Sequence, residues 1–449
     1  MEIVNKNITI IGAIRSGLGA AKLVKKLGGV PFVSDFSDNE FVRNSIETLK
    51  EFNIDFEYGG HSDRAFECDL MIVSPGVPLN SDVIVKAKEK NIKLISEIEL
   101  AYNFCKGKII AITGTNGKTT TTSLIAHIIK SCGLKAYEAG NIGNAFSEIA
   151  LDVEEDEFVA LEISSFQIDL IDKFKPNQAL ILNVTPDHLN RYEYDFQNYI
   201  NSKLNIYKNQ DAEDYLILNQ SDPVLMQQTF NNNSKTIFFS LTGELTTGCY
   251  YNNGEIILNN NGVEVFRFTA KDLQIKGEHN ILNTMSALCA VYPYLAEQKD
   301  KVYEALRSFA PVEHRLEPVR EIDGVLFIND SKATNVDSVW YALRSFDDPI
   351  FLILGGQDKG NDYNKIKDLV VEKVKKIYAI GSSAEKIFNF FHRDIKVEVK
   401  KTLEEAVVAA NNEARANEIV LLSPACKSFD QFNSYEHRGK AFKEAVNKL

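Results

Sequence analysis

The chain has 449 residues, 44% of them hydrophobic, and a formal net charge of −12 at pH 7. That length suggests about three domains with sizeable cores, and the negative balance argues against nucleic acid, whose phosphates select basic surfaces. No apolar run approaches the ~20 residues of a membrane span, and Cys68, Cys105, Cys132, Cys249, Cys289 and Cys426 form no C-x-x-C pair, so they read as reduced thiols.

The first block runs from Met1 to about Cys105. Its start, "MEIVNKNITIIG", reads as the charged beginning of a strand, not as a signal peptide, and predicts a cytoplasmic protein. "NITIIGAIRSGLGAAKLVKKLG" predicts strand, glycine turn and helix. "VPFVSD" is a second strand ending in Asp35, "DLMIVSPGV" a further one, and "IKLISEIELAY" a strand then a helix. The alternation predicts a parallel sheet of the dinucleotide-binding kind. The fingerprint G-x-G-x-x-G is incomplete: Gly12 and Gly17 fit, but Ile14 stands where the middle glycine would admit a pyrophosphate. This argues against tight NAD binding. A nucleoside diphosphate near Ser16 and a purely structural turn are equally good readings of this motif. Arg15 is an unexpected charge, either at a phosphate or solvated.

The second block runs from about Lys106 to Ala310. It opens on "KIIAITGTNGKTTTTSLIAHIIKS": apolar strand, glycine turn, Lys-Thr, helix. The usual phosphate loop, G-x-x-x-x-G-K-[ST], needs a glycine where this chain has Ile112. The chemistry survives the shortening. Gly114 and Gly117 let the backbone aim N–H groups inward, the helix start adds its dipole, Lys118 reaches β/γ-phosphates and Thr119 offers a hydroxyl to Mg²⁺. "FVALEISSFQI" and "QALILNVTPDHLNRY" then read as strands with polar ends. Glu162 and Asp187-His188 therefore project on the edge of the phosphate loop, where an oxygen-rich set suits Mg²⁺. Asn253-Gly254 and Asn261-Gly262 signal hairpins, and "GEHNILNTMSALCAVY" a helix.

The third block runs from about Pro311 to Leu449. "VLFIND", "PIFLILGG", "KKIYAIG" and "EIVLLSP" are strands with helical patterns between them, predicting another doubly wound α/β domain. The strand ends "NDSKATN", "GGQDKGNDY" and "SPACKSFDQF" are polar, and in such sheets the ligand lies at the carboxyl ends of strands.

Together "GTNGKTTTT", "LEISSFQ", "NVTPDHLNRY", "GEHNILN", "HRLE", "NDSKATN" and "LSPACKSFDQF" resemble the Mur ligase family, in order and across all three blocks. The shortened phosphate loop is that family's own form. "NDSKATN" and the presence of a first, UDP-binding block point to the branch that adds D-glutamate. The resemblance implies an α/β protein of three domains: an N-terminal Rossmann-like UDP-binding domain (1–105), a central P-loop ATPase domain with added β hairpins (106–310) and a C-terminal Rossmann-like domain that binds D-glutamate (311–449). It implies an ATP-dependent amide ligase that joins D-glutamate to UDP-N-acetylmuramoyl-L-alanine through an acyl phosphate, in peptidoglycan precursor synthesis. The partners are these small molecules, with no nucleic acid or membrane, and the chain is expected to act as a monomer. A sister ligase adding another amino acid, and a P-loop protein that binds ATP without ligation, are the alternatives.

Carried over residue by residue, Gly114, Thr115, Asn116, Gly117, Lys118, Thr119 and Thr120 hold the ATP phosphates. Asn280 and Asn283 lie near the adenine, and Arg315, after His314, lies near the nucleotide with Asp330 and Lys332. Thr119, Glu162, His188 and Lys203 hold Mg²⁺, of which similar enzymes use two ions, and Lys203 matches a lysine that is carbamylated in the family. From pattern alone, Lys203 is a surface lysine. Ser16, Asp35, Ser74, Pro75 and Gly76 match the uridine diphosphate pocket, with Asn141 toward the muramyl side. Thr334, Lys359, Ser428 and Tyr435 match positions that hold D-glutamate.

Overall fold

The computed structural model describes residues 1–449, and they build three sheets. The first runs from edge to edge through Asp55–Tyr58, Val30–Asp35, Asn7–Ile11, Leu70–Val73 and Leu94–Ser96, every pair parallel. The order reverses between Asn7–Ile11 and Leu70–Val73, which opens a crevice at their carboxyl ends. Leu70–Val73 is buried throughout, as a strand covered on both faces must be.

The second sheet has nine strands. Its parallel part runs Ala136–Gly140, Phe158–Glu162, Lys108–Thr113, Gln178–Ile181, Tyr215–Asn219, Lys235–Ser240 and Gly248–Asn252. Glu255–Asn260 and Val263–Thr269 add two antiparallel hairpins. Their turns are the expected Asn-Gly pairs: φ is 49° and 88° at Asn253-Gly254, and 51° and 78° at Asn261-Gly262. Two successive positive φ values match the twist of paired strands.

The third sheet runs Glu317–Ile322, Val325–Asn329, Glu418–Leu422, Ile350–Gly355, Val374–Ile380 and Lys396–Val399. The four strands read from sequence are present. The two edges were not read, because "EPVREI" and "KVEV" are largely polar and half-exposed. Glu317–Ile322 pairs antiparallel, so the sheet is not wholly parallel.

Met1–Ala270 with Leu282–Arg307 forms one compact unit and carries the first two sheets; Lys271–Ile281 with Ser308–Leu449 forms the other. All six cysteines are free, and no helix is long and apolar enough to cross a membrane.

Candidate active site

Ile112 explains the shortened loop. It is fully buried within Lys108–Thr113, paired with Leu180 on one side and Glu162 on the other. The turn starts at Gly114 (φ 153°), and Gly117 (φ 85°) caps the helix Lys118–Ser131. Side chains avoid such angles, and a Cβ on Gly117 would also collide with the Asn283 carboxamide. A brace comes from the neighbouring strand end. Asn183 Oδ1 accepts from the N–H groups of Thr115 (3.1 Å) and Asn116 (2.8 Å), while its Nδ2 donates to the Asn116 carbonyl at 3.0 Å. Lys118 Nζ donates to the carbonyls of Gly114 and Thr115, each at 2.9 Å. The Thr120 hydroxyl is buried without a protein partner. It lies in the first turn of the helix, where orphan N–H groups gather anions.

The strand end next door supplies a carboxylate. Glu162 is buried, its Oε2 accepting from Thr119 Oγ1 at 2.8 Å and its Oε1 from Asn141 Nδ2 at 2.7 Å. His188 has a left-handed φ of 54°; its backbone N–H donates to Asp187 Oδ1 at 2.8 Å, and its ring meets Phe166 at 5.2 Å. Lys203, on the helix Phe196–Leu204, is only 2% exposed. Its Nζ donates to the Gly114 carbonyl at 2.8 Å and lies 4.7 Å from the centre of the Tyr199 ring. Burial, then the charge of Lys118, hold its pKa well below the ordinary lysine value, opposed by Asp187, Asp169 and Glu162. Burial away from water, with a second cation nearby, disfavours the ammonium.

The crevice of the first sheet is a cavity of 880 Å³ lined by Gly12, Ile14, Arg15, Ser16, Asp35, Phe36, His61 and the segment from Ser74 to Pro78. Gly17 has no alternative, since a Cβ there would collide with the Gly12 carbonyl. Ile14, at the position of the missing glycine, is exposed on the cavity wall. Asp35 serves the backbone: Oδ2 accepts from Ala13 N–H at 2.7 Å and Oδ1 from Ser37 N–H at 2.8 Å. Arg15 lines the cavity and donates from one guanidinium nitrogen to the Gly140 carbonyl at 3.0 Å, so it is not simply solvated.

In the second unit, three polar strand ends are tied together. Asp330 N–H donates to the Leu422 carbonyl at 2.8 Å, Gly355 N–H to that of Pro424 at 2.9 Å, and Gln357 N–H to that of Lys427 at 2.8 Å. The last bond brings the loop of Lys359 beside that of Ser428. Asp330 is buried, accepts from Ser423 Oγ at 2.8 Å, and has its pKa raised to about 7 by burial against the opposing charge of Arg315. Lys332 Nζ lies 5.3 Å from the centre of the Tyr435 ring. Thr334 is partly exposed in the same loop. Asn280 donates to the Lys276 carbonyl at 2.8 Å.

Three known domains match the chain in this order: the MurD N-terminal domain over residues 11–83, the Mur ligase middle domain over 112–291, and the Mur ligase, glutamate ligase domain over 314–426. The UDP-N-acetylmuramoylalanine–D-glutamate ligase of Christiangramia forsetii is 43% identical over 448 residues, covering 99% of this chain and 100% of that protein. The enzyme of that name from Salinibacter ruber is 39% identical over 463 residues, covering 100% and 99%. The chain belongs to the Mur ligase family. The fold agrees: UDP-N-acetylmuramate-alanine ligase from Thermotoga maritima superposes with a TM-score of 0.64 at 18% identity over 99% of this chain and 100% of that one. A MurF ligase from the same organism, in complex with ADP, gives 0.60 at 16% identity over 93% and 95%. The three-domain α/β architecture is thus that of Mur ligases, and the family is ATP-dependent.

Within this Mur ligase the structure brings Lys118, Thr119, Asn141, Glu162 and Lys203 around one loop. Two neighbours escaped the sequence reading. Asn183 lay inside the quoted "NVTPDHLNRY" but carried no signal of its own, since its role is a contact to a loop 67 residues away. Tyr199 supplies the ring beside Lys203 and a hydroxyl 3.3 Å from Thr115 Oγ1. An aromatic residue four positions before a lysine on one helix was a usable hint, because such pairs share a face.

Proposed function

We propose that this chain is an ATP-dependent, ADP-forming ligase that joins D-glutamate to UDP-N-acetylmuramoyl-L-alanine in peptidoglycan precursor synthesis. The observation that carries the reading is the full-length match to D-glutamate ligases at about 40% identity, 39% to Salinibacter ruber and 43% to Christiangramia forsetii. A carboxylate resists attack by an amine because its leaving group would be oxide. Transfer of the γ-phosphoryl group from ATP gives an acyl phosphate and ADP; the amine of D-glutamate then displaces phosphate through a tetrahedral intermediate, and the amine proton leaves to solvent.

Gly114 through Thr120 cradle the phosphates, and Lys118 exchanges its carbonyl partners for phosphoryl oxygens, neutralising charge as the group transfers. Asn280, Asn283, Arg315, Asp330 and Lys332 hold the rest of the nucleotide. Ser16, Asp35, Ser74, Pro75 and Gly76 take the UDP part of the acceptor, and Asn141 its muramyl side. Thr334, Lys359, Ser428 and Tyr435 take D-glutamate, whose two carboxylates call for charge-assisted hydrogen bonds. Residues 1–105, 106–310 and 311–449 are the three substrate domains of a cytoplasmic monomer.

The buried oxygens of Thr119 and Glu162, with the imidazole of His188, suit Mg²⁺, which when bound supplies positive charge at the phosphates. Lys203 completes the set as a carbamate. Its neutral amine attacks CO₂; the N–C bond forms as one C=O π bond opens onto oxygen and one N–H proton leaves, so a neutral amine becomes an anionic ligand. The observation in favour is its burial beside Lys118, which disfavours the ammonium.

The test is phosphate release by the purified chain with ATP, UDP-N-acetylmuramoyl-L-alanine and a panel of amino acids. D-Glutamate alone should support turnover. Turnover with another acceptor would make it a sister ligase, and ATP binding without acceptor-dependent release a non-ligating protein.

A further inference from the structure

Arg191 has no part in the reading so far. It ends the short helical turn Leu189–Arg191, which His188 caps. Its guanidinium reaches to the turn that follows Leu70–Val73 in the first sheet. Nη1 donates to the carbonyl of Gly76 at 3.1 Å, and Nη2 to those of Pro75 at 3.1 Å and Val77 at 3.0 Å. The guanidinium carbon lies 4.5 Å from the centre of the Phe166 ring, whose neighbour is His188 at 5.2 Å. The group thus takes three successive carbonyls and an aromatic face in place of a carboxylate. Only the planar fork of arginine can do this; an ammonium is a single point of charge.

Pro75, Gly76 and Val77 line the 880 Å³ cavity, whereas Arg191 does not. It grips the turn from behind. A trans peptide points its C=O and N–H in opposite directions. With the Pro75 carbonyl held by Arg191, the Gly76 N–H of the same peptide points away from the guanidinium, at a residue that lines the cavity, while the Val77 N–H is taken by the Ser74 carbonyl at 3.0 Å.

We infer that Arg191 is a positioning residue for the sugar nucleotide, shaping the Pro75–Val77 turn so that its backbone meets a diphosphate. The segment that carries it is the one that carries His188, so one short stretch serves both substrates of the phosphoryl transfer. The inference rests on the ligase reading for the identity of the substrate.

Two variants of the full chain test it. Arg191→Met keeps the stem and removes every donor; Arg191→Lys keeps the charge and loses the fork. Arg191→Met should raise the KM for UDP-N-acetylmuramoyl-L-alanine about tenfold, and those for ATP and D-glutamate less than about twofold. Arg191→Lys should fall between, at roughly threefold. Calorimetry with UDP alone, without ATP, should rank the three proteins in the same order. An unchanged KM for the sugar nucleotide, or parallel rises for all three substrates, overturns the inference. If Arg191→Met does not give a cooperative melt, Arg191→Lys decides by the same criteria. If the unmodified chain releases no phosphate with D-glutamate, the ligase reading falls, and UDP affinity alone decides for Arg191: equal affinities in the variants overturn it.

Discussion

The phosphate loop and the cavity of the first sheet both lie at the carboxyl ends of parallel strands in one compact unit, but they are built differently. Around the loop, the groups suited to ligand chemistry already hold protein partners: Lys118 two carbonyls, Glu162 the side chains of Thr119 and Asn141, Lys203 the carbonyl of Gly114. The cavity presents backbone and small side chains beside Arg15, His61 and Lys86, with two phenyl rings, Phe66, which is buried, and Phe36, which is 76% exposed. Charge that develops during a reaction needs dipoles fixed beforehand, because they then cost no reorganisation. A substrate held by shape tolerates softer walls. A single side chain should therefore matter to chemistry at the loop and only to affinity at the cavity.

The sharpest way to break that contrast is Lys118→Ala. We expect kcat/KM to fall about 10³-fold or more, with the melting temperature within a few degrees of the unmodified chain. A loss below about tenfold would place the stabilising charge elsewhere.

Lys203→Ala should lose about 10²-fold in kcat, and added acetate should restore part of it. Near-normal turnover, or an active preparation without a carbamate signal in ¹³CO₂ NMR, would remove Lys203 from the ligand set. A pH experiment addresses the same amine before it reacts. In protein free of bicarbonate and metal, the depressed pKa means that the unfolded chain takes up a proton the folded chain refuses. Stability is then lost as pH falls below the ordinary lysine value of 10.5. Lys203→Met should melt above the unmodified chain at pH 7, and the gain should shrink as pH rises toward that value. A gain that grows with pH would contradict the buried neutral amine.

Asn183→Ala tests whether the loop is braced from outside. Two N–H groups lose their side-chain acceptor, a loss of about 1–3 kcal/mol, and the KM for ATP should rise about tenfold while that for the sugar nucleotide stays within about twofold. Equal rises for both would make the brace a general support of the sheet. The smallest effect is expected at the cavity. Phe36→Ala should raise the KM for the sugar nucleotide no more than about threefold and leave kcat unchanged. A drop in kcat would show that the cavity wall also takes part in the chemistry.

Much of the fold was legible because its signals are local. Buried parallel strands read as apolar runs, and Asn-Gly turns need only two residues. The edge strands Glu317–Ile322 and Lys396–Val399 were not legible, since a half-exposed strand carries no apolar run and gains its identity from its neighbour. The loop residues from Gly114 to Thr120 were legible for the same local reason: a phosphate cradle is made by consecutive backbone groups.

What the sequence alone determined is the chemistry available: a glycine turn with Lys-Thr, polar groups after apolar strands, and the order of three blocks. What only the tertiary structure decided is the state of those groups. Ile112 looked like a defect in the loop and is a core residue of the strand beneath it. Lys203 reads by pattern as a surface lysine, and it is burial, then the charge of Lys118, that lowers its pKa. Arg191 meets Gly76 across 115 positions of chain. Periodicity and motif spacing follow from the backbone within an element, whereas burial, a pKa and a long-range carbonyl contact exist only once separate elements have packed.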